Sequence, residues 1–271
     1  MIDDLVELAR GRKIVALTGA GISTESGIPD YRGPDRPPRV RDPMQHREFV
    51  DKLEMRRKYW ARSMVGYPRM AAATPNAGHA ALAELEHRGT LAGVITQNVD
   101  GLHGAAGSRE VVELHGALAR VRCLACEAIT SRDVLQHRLV AANPHHAASG
   151  KIAPDGDVDV PDELIADFHI AACDACGGVL MPDVVFFGGS VPRATLDAAW
   201  ALFARAELLL VVGSSLAVFS GYRFVRRAAE HRIPIAIVNH GPTRGDDHAD
   251  LRIDARSGAL LSEFAARLAS A

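Results

Sequence analysis

The chain has 271 residues, 48% of them hydrophobic and 24% charged, with a formal net charge of −2. That length suits two domains or one domain carrying a large insertion, and the composition is that of a globular protein with enough apolar material for a sizeable core. Near-neutral charge supplies no global field for nucleic acid, and no apolar run reaches the roughly 18 residues of a membrane span, so neither partner is expected.

The opening Met1-Ile2-Asp3-Asp4 is acidic and lacks the basic and apolar regions of a secretory signal, so a cytoplasmic protein is expected, acting as a monomer. Residues 3–10 predict a short helix. Lys13-Ile14-Val15-Ala16-Leu17 predicts a buried parallel strand stopped by a glycine turn at Thr18-Gly19. Residues 31–43 are rich in Pro, Arg and Asp and predict a loop, and residues 46–65 have helical spacing, with Arg56-Arg57-Lys58 as a solvated face. Thr74-Pro75-Asn76 is a helix start. Strands follow at Gly93-Val94-Ile95-Thr96 and Val111-Val112-Glu113-Leu114.

Residues 119–180 break this rhythm, with a C-x-x-C near each end and a loop at 143–161 between. Beyond them, 208–213 and 234–239 predict two more apolar strands separated by a helix at about 219–231. Residues 251–253 predict a last short strand and 257–268 a closing helix. Apolar strands alternating with helices make this an α/β chain, a Rossmann-like doubly wound parallel sheet with a small zinc-binding and helical domain inserted. The expected division gives residues 1–40, 76–118 and 181–271 to the dinucleotide-binding domain. Residues 41–75 and 119–180 go to the small one.

In the turn Thr18-Gly19-Ala20-Gly21-Ile22-Ser23, Gly19 permits the tight bend and Gly21 lets a pyrophosphate approach the backbone at the start of the following helix. The third glycine of the dinucleotide fingerprint is Thr24 here, so a tight turn without a ligand is an equal reading of this stretch alone. Cys123-x-x-Cys126 and Cys173-x-x-Cys176 form two knuckles whose four thiolates complete a tetrahedral all-sulfur shell, closed and structural. A redox dithiol is the rival reading. Two pairs bounding one insertion favour zinc.

The string from Gly19 to Arg32 (Gly-Ala-Gly-Ile-Ser-Thr-Glu-Ser-Gly-Ile-Pro-Asp-Tyr-Arg) closely resembles the signature of the sirtuin family. So do Thr96-Gln97-Asn98-Val99-Asp100-Gly101-Leu102-His103, His115-Gly116, Gly213-Ser214-Ser215 and the cysteine pairs in their order. The resemblance runs from about residue 5 to the C-terminus. Ala153-Pro154-Asp155-Gly156-Asp157, Pro182-Asp183-Val184-Val185-Phe186-Phe187-Gly188 and Gly241-Pro242-Thr243-Arg244 are similar to the class II branch, that of the mitochondrial fourth human sirtuin. The resemblance implies NAD as co-substrate, one structural zinc, and transfer of an acyl group from a lysine of a peptide or protein to ADP-ribose with release of nicotinamide.

That chemistry needs the nicotinamide–ribose bond to weaken while an acyl-lysine oxygen attacks, and then a base for a ribose hydroxyl. Among twelve histidines, His115 is the candidate. It sits where a strand ends, before Gly116, and imidazole titrates near neutral pH. Asn98 and Asp100 together can donate to and accept from the nicotinamide carboxamide, where the resemblance places them, though local sequence alone favours an Asx turn. The resemblance puts Gln97 near the ribose, with Val99 beside it. It puts Asp30, Tyr31 and Arg32 on a loop closing over the cofactor, with Tyr31 where the family usually has Phe. Ala20, Ser23, Gly213, Ser214, Ser215, Asn239, His240, Gly241 and Ser257 complete the expected cofactor contacts. Val185, Phe186, Phe187 and Gly188 are the expected wall of a groove in which substrate peptide adds as a strand, with Gly213–Phe219 as the other wall. Gly189 replaces an acidic residue often found after Phe-Gly.

Tyr59-Trp60-Ala61-Arg62 has the Tyr-x-x-Arg spacing of sirtuins that remove succinyl or malonyl groups. The branch resemblance points instead to lipoyl-type, branched or acetyl groups. A mono-ADP-ribosyltransferase using the same site, and an NAD sensor without turnover, are the alternative functions.

Overall fold

The structure, a computed structural model, describes residues 1–34, 43–146, 153, 156–158 and 160–269. Most of the proline-rich loop expected at 31–43, and part of the stretch 153–157, lie outside the described residues. The strands are β1 (Ile14–Thr18), β2 (Leu91–Thr96), β3 (Val111–Glu113), β4 (Gly116–Cys123), β5 (Ile129–Ser131), β6 (Leu180–Val184), β7 (Leu208–Val212), β8 (Ile235–Val238) and β9 (Leu251–Ile253). The helices are α1 (Ile2–Ala9), α2 (His46–Asp51), α3 (Leu53–Ala71), α4 (Ala77–His87), α5 (Leu102–Ala105), α6 (Arg132–Ala142), α7 (Asp162–Ala166), α8 (Arg193–Phe203), α9 (Phe219–Glu230) and α10 (Ser257–Leu268).

Six strands form one parallel sheet in the order β3-β2-β1-β7-β8-β9. Every residue of β1, β2, β7 and β8 is buried, which is why these strands read as unbroken apolar runs. Alternate side chains serve opposite layers. Ile14, Ala16, Leu208 and Leu210 pack under α1, α4 and α10 through Leu5, Leu82 and Phe264. Val15, Leu17, Leu209 and Val211 pack under α8 and α9 through Phe203, Phe224 and Val225. The expected doubly wound α/β architecture is the one observed.

After Gly19 the expected helix forms as a 3-10 helix, Ala20–Ser26. The amide of Ile22 donates to Gly19 O, the Thr24 hydroxyl donates back to Gly21 O, and Gly27 ends the turn at φ +83°. The single helix expected over 46–65 is two, because Lys52 is extended between α2 and α3, and α3 runs on to Ala71. Pro68 lies inside α3 and has no N–H to give to Met64 O. The Gln136 side-chain amide donates there instead, at 2.7 Å.

The start of α4 at Asn76 is a reciprocal cap. Asn76 Oδ1 accepts from the Gly78 and His79 amides, and the Asn76 amide faces His79 Nδ1. The Asn76 side-chain amide also donates to Ile22 O and Ser26 Oγ, pinning the 3-10 helix against α4.

A second, antiparallel sheet in the order β5-β4-β6 belongs to a small lobe with α2, α3, α6 and α7. Its core gathers Phe49, Tyr59, Trp60, Leu135, Leu139, Phe168 and Phe186. Arg132 is buried within it, stacked on Tyr67 at 4.3 Å and on Trp60 at 5.4 Å. Only Leu114 and His115 separate β3 of the large sheet from β4 of the small one.

Candidate active site

Between β1 and β7 the strand order reverses, and in a parallel sheet that is where a crevice opens at the carboxyl ends. Gly19 follows β1, Gln97 to Asp100 follow β2, His115 stands just beyond β3, Gly213 to Ser215 follow β7, and Asn239 to Gly241 follow β8. All of them line a single cavity of about 1140 Å³.

The floor is set by close backbone approach. Gly213 is left-handed at φ +59°, and a Cβ there would lie 2.3 Å from the Ile22 nitrogen. A Cβ on Gly21 would lie 2.8 Å from Gly213 O, and the Gly21 amide donates to that oxygen at 2.8 Å. The backbone that Gly21 admits is thus that of Gly213.

Polar groups around this floor are cross-linked. Ser23 Oγ donates to Asp100 Oδ2 at 2.7 Å and accepts from the Asn98 side-chain amide at 3.1 Å, which also reaches Gly19 O at 3.2 Å. Asp100 Oδ1 accepts from the Leu102 amide at 3.0 Å, so the Asx turn forms as well. The Gln97 side-chain amide donates to Ser214 Oγ at 2.8 Å and to Thr18 O at 3.2 Å. Asn239 turns its amide onto His240 O and Gly241 O. Asp30 folds over the Gly33 amide at 2.6 Å, beside Tyr31 and Arg32.

His115 is held at both ring nitrogens. Nδ1 lies 2.8 Å from Gln97 O and Nε2 lies 2.7 Å from Ser220 Oγ. A carbonyl oxygen only accepts, so Nδ1 carries the proton and donates. Burial pushes the ring's pKa below the ordinary histidine value, opposed in part by that bond. The imidazole is therefore neutral at pH 7, with the Nε2 lone pair on the Ser220 side.

The structure brings every expected cofactor, catalytic and groove residue onto this cavity except Ser257. Ser257, buried at the start of α10, lines a smaller adjoining cavity with Gly21, Asn239 and Arg256. Beyond β6, Val185, Phe186 and Phe187 lead into a turn at Gly188 (φ +75°), where the Gly189 amide donates to Phe186 O at 2.9 Å. The Val185 amide donates to His115 O, while the Phe187 ring meets Tyr31 edge-on at 6.2 Å. Phe186 also belongs to the small-lobe core, against Phe49 and Tyr59. The other expected wall is broken by left-handed residues at Gly213 (φ +59°) and Leu216 (φ +56°), and Phe219 already begins α9. Tyr59 lines the cavity and Arg62 does not.

Sequence reasoning missed the apolar lining by Ile28, Met70 and Leu118, and also Ser220 and Arg223. Ser220 carries no local signal, because a serine at a helix start reads as a cap.

The four cysteine sulfurs all lie within 4.8 Å of one another, with Cys123 and Cys176 at 3.5 Å and Cys126 and Cys173 at 3.8 Å. Zinc–sulfur bonds of about 2.3 Å in a tetrahedron put sulfurs about 3.8 Å apart, so the set fits zinc, whereas a disulfide needs about 2.05 Å. The Ala125 amide donates to Cys123 Sγ and the Gly178 amide to Cys176 Sγ, as thiolates require. The site lies at the opposite end of β4 from His115, beyond an irregularity between Gly116 and Val121. Zinc here shapes the small lobe and touches no reacting atom.

These features define a two-lobed, dinucleotide-using protein of the Rossmann class with a structural zinc module. The sequence profile described as the Sir2 family matches residues 19–220, and the chain belongs to that family. It is 51% identical over 271 residues to NAD-dependent protein deacetylase 1 of Mycobacterium avium (strain 104), covering 98% of this chain and 95% of that protein. It is 48% identical over 254 residues to the human protein named NAD-dependent protein lipoamidase sirtuin-4, mitochondrial, covering 92% and 81%. Among solved structures, a Sir2 bound to acetylated peptide superposes with a TM-score of 0.76 at 30% identity, covering 100% of this chain and 98% of that one. A Sir2 complex with p53 peptide and NAD+ gives 0.75 at 31% identity, covering 100% and 98%.

Proposed function

We propose that this chain is an NAD-dependent protein lysine deacylase that works through His115 as general base. The observation that carries the reading is the state of that ring. Nδ1 is tied to Gln97 O, and a neutral Nε2 is held at the cavity where five strand ends meet. When bound, NAD would supply the ribose carbon that the acyl oxygen attacks, with nicotinamide as the leaving group and ADP-ribose left to accept the acyl group.

The chain's own groups divide the work around it. Asn98 and Asp100, fixed by Ser23, offer one amide and one carboxylate to the carboxamide of the leaving ring. Ser214, Ser215, Asn239 and the smaller cavity at Ser257 suit phosphate and adenosine ribose. Asp30, Tyr31 and Arg32 wall the reacting end from water. The Val185 amide, Phe186 O and Phe187 O are held by His115, Gly189 and His46, and the remaining main-chain groups from Val185 to Gly188 would pair with a substrate strand, which gives affinity with little demand on its sequence. His115 Nε2 would then take the proton of a ribose hydroxyl, whose oxygen bonds to the acyl carbon; a water completes the transfer and the lysine leaves as its free amine, with the acyl group on ADP-ribose. Peptide, not nucleic acid, is the macromolecular substrate, in keeping with a net charge of −2.

The test uses full-length protein, NAD and acyl-lysine peptides, with products read by mass spectrometry. Nicotinamide and O-acyl-ADP-ribose should appear together. His115→Tyr should abolish the acyl product while circular dichroism and melting stay near wild type. Retained turnover in a folded His115→Tyr protein would remove His115 from this role.

A further inference from the structure

Resting on the deacylase reading, we infer that Ser220 is a positioning residue that aims the basic nitrogen of His115 at the ribose. Because Gln97 O only accepts, the neutral ring presents a bare lone pair at Nε2, and the Ser220 hydroxyl 2.7 Å away is its donor. The imidazole is thereby fixed at two points and cannot turn about its Cβ–Cγ bond without losing both. The two anchors are themselves joined. Gly221, the neighbour of Ser220 on the first turn of α9, approaches Gln97 so closely that a Cβ there would meet the Gln97 side chain at 2.5 Å. The first turn of α9 and the end of β2 thus bracket the ring from its two sides.

Ser220 is almost fully buried, at 8% exposure, yet it lines the cavity, and its hydroxyl stands beside the nitrogen that a ribose hydroxyl must reach. The ribose hydroxyl must share or take over Nε2 from Ser220. In its absence the serine keeps the ring aimed and its lone pair satisfied.

This role touches one half of the reaction. Loss of nicotinamide precedes the base's step, so exchange of labelled nicotinamide into NAD reports the first half, and O-acyl-ADP-ribose formation reports both. Both rates are measured with one acyl-lysine peptide on full-length wild type, Ser220→Ala and Ser220→Thr, with melting temperatures alongside. In Ser220→Ala the ratio of acyl product to exchange should fall about tenfold, the scale of one lost hydrogen bond felt in the transition state. The fall should be in kcat and not in KM for peptide, and Ser220→Thr, which keeps a hydroxyl, should recover the ratio to within about twofold. An unchanged ratio in Ser220→Ala, or equal falls in Ala and Thr variants, would overturn the inference while leaving the deacylase reading intact. A wild-type protein giving neither product would overturn that reading, and this one with it.

Discussion

Two histidines outside the reaction matter for a different reason. His79 and His103 are both buried below the crevice with ring centroids 4.8 Å apart, and His103 Nε2 lies 2.9 Å from Thr18 Oγ. Burial pushes His103 down to about 3, with its neighbour His79 adding to the effect. An unfolded chain would protonate this ring near its ordinary value of 6.5, so between about 3 and 6.5 the unfolded state binds more protons. The stability that His103 contributes is therefore full above pH 6.5 and is lost as pH falls toward 3. Urea midpoints at pH 7.5 and 5.0 should show this loss, and His103→Asn should flatten the slope between them. A slope unchanged in a folded His103→Asn protein would show that the destabilising protonation lies elsewhere.

Secondary-structure elements were readable to the extent that their causes are local. Parallel strands buried on both faces must be apolar throughout, so β1, β7 and β8 announce themselves in Ile14–Leu17, Leu208–Val212 and Ile235–Val238. The cysteine knuckles are legible because two residues per turn of chain do the binding. Where the cause lies far along the chain, sequence reasoning stopped. At Pro68 in α3 the missing donor to Met64 O is supplied by Gln136, on another helix. The break at Lys52 contains neither glycine nor proline. Ser220 meets its partner across 105 positions.

The β4 strand carries the most exposed dependence on metal, since Cys123 closes one end of it and His115 precedes the other. Chelation should release about one zinc per chain, measured by atomic absorption, and lower the melting temperature by roughly 10 °C or more, each kcal/mol being worth about 2–4 °C at this size. Acyl transfer should fall with it. Full activity and an unshifted melt in metal-free protein would refute a structural zinc.

At the scale of the whole molecule, the cavity belongs to both lobes. The large sheet contributes strand ends rich in polar groups, and the small lobe contributes Tyr59 and Met70 from α3 and Leu118 from β4. Ile28, Met70 and Leu118 are nearly buried and form one apolar cluster with Leu102. Arg62 stands off this cavity. A negatively charged acyl chain would thus lose its water against that cluster without the Arg62 partner that the Tyr59-x-x-Arg62 spacing suggested. In a panel of peptides, neutral acyl groups should outpace succinyl by at least about tenfold, and Arg62→Ala should leave the order of preference unchanged. A selective drop on succinyl peptide in Arg62→Ala would restore the acidic-acyl reading.

A dehydrogenase returns its dinucleotide altered by only a hydride. In this chain the Gly21 amide, at the start of the 3-10 helix after β1, is already engaged by Gly213 O at 2.8 Å. One donor fewer faces any visitor there, and a looser grip suits a molecule that enters whole and leaves in pieces on every cycle.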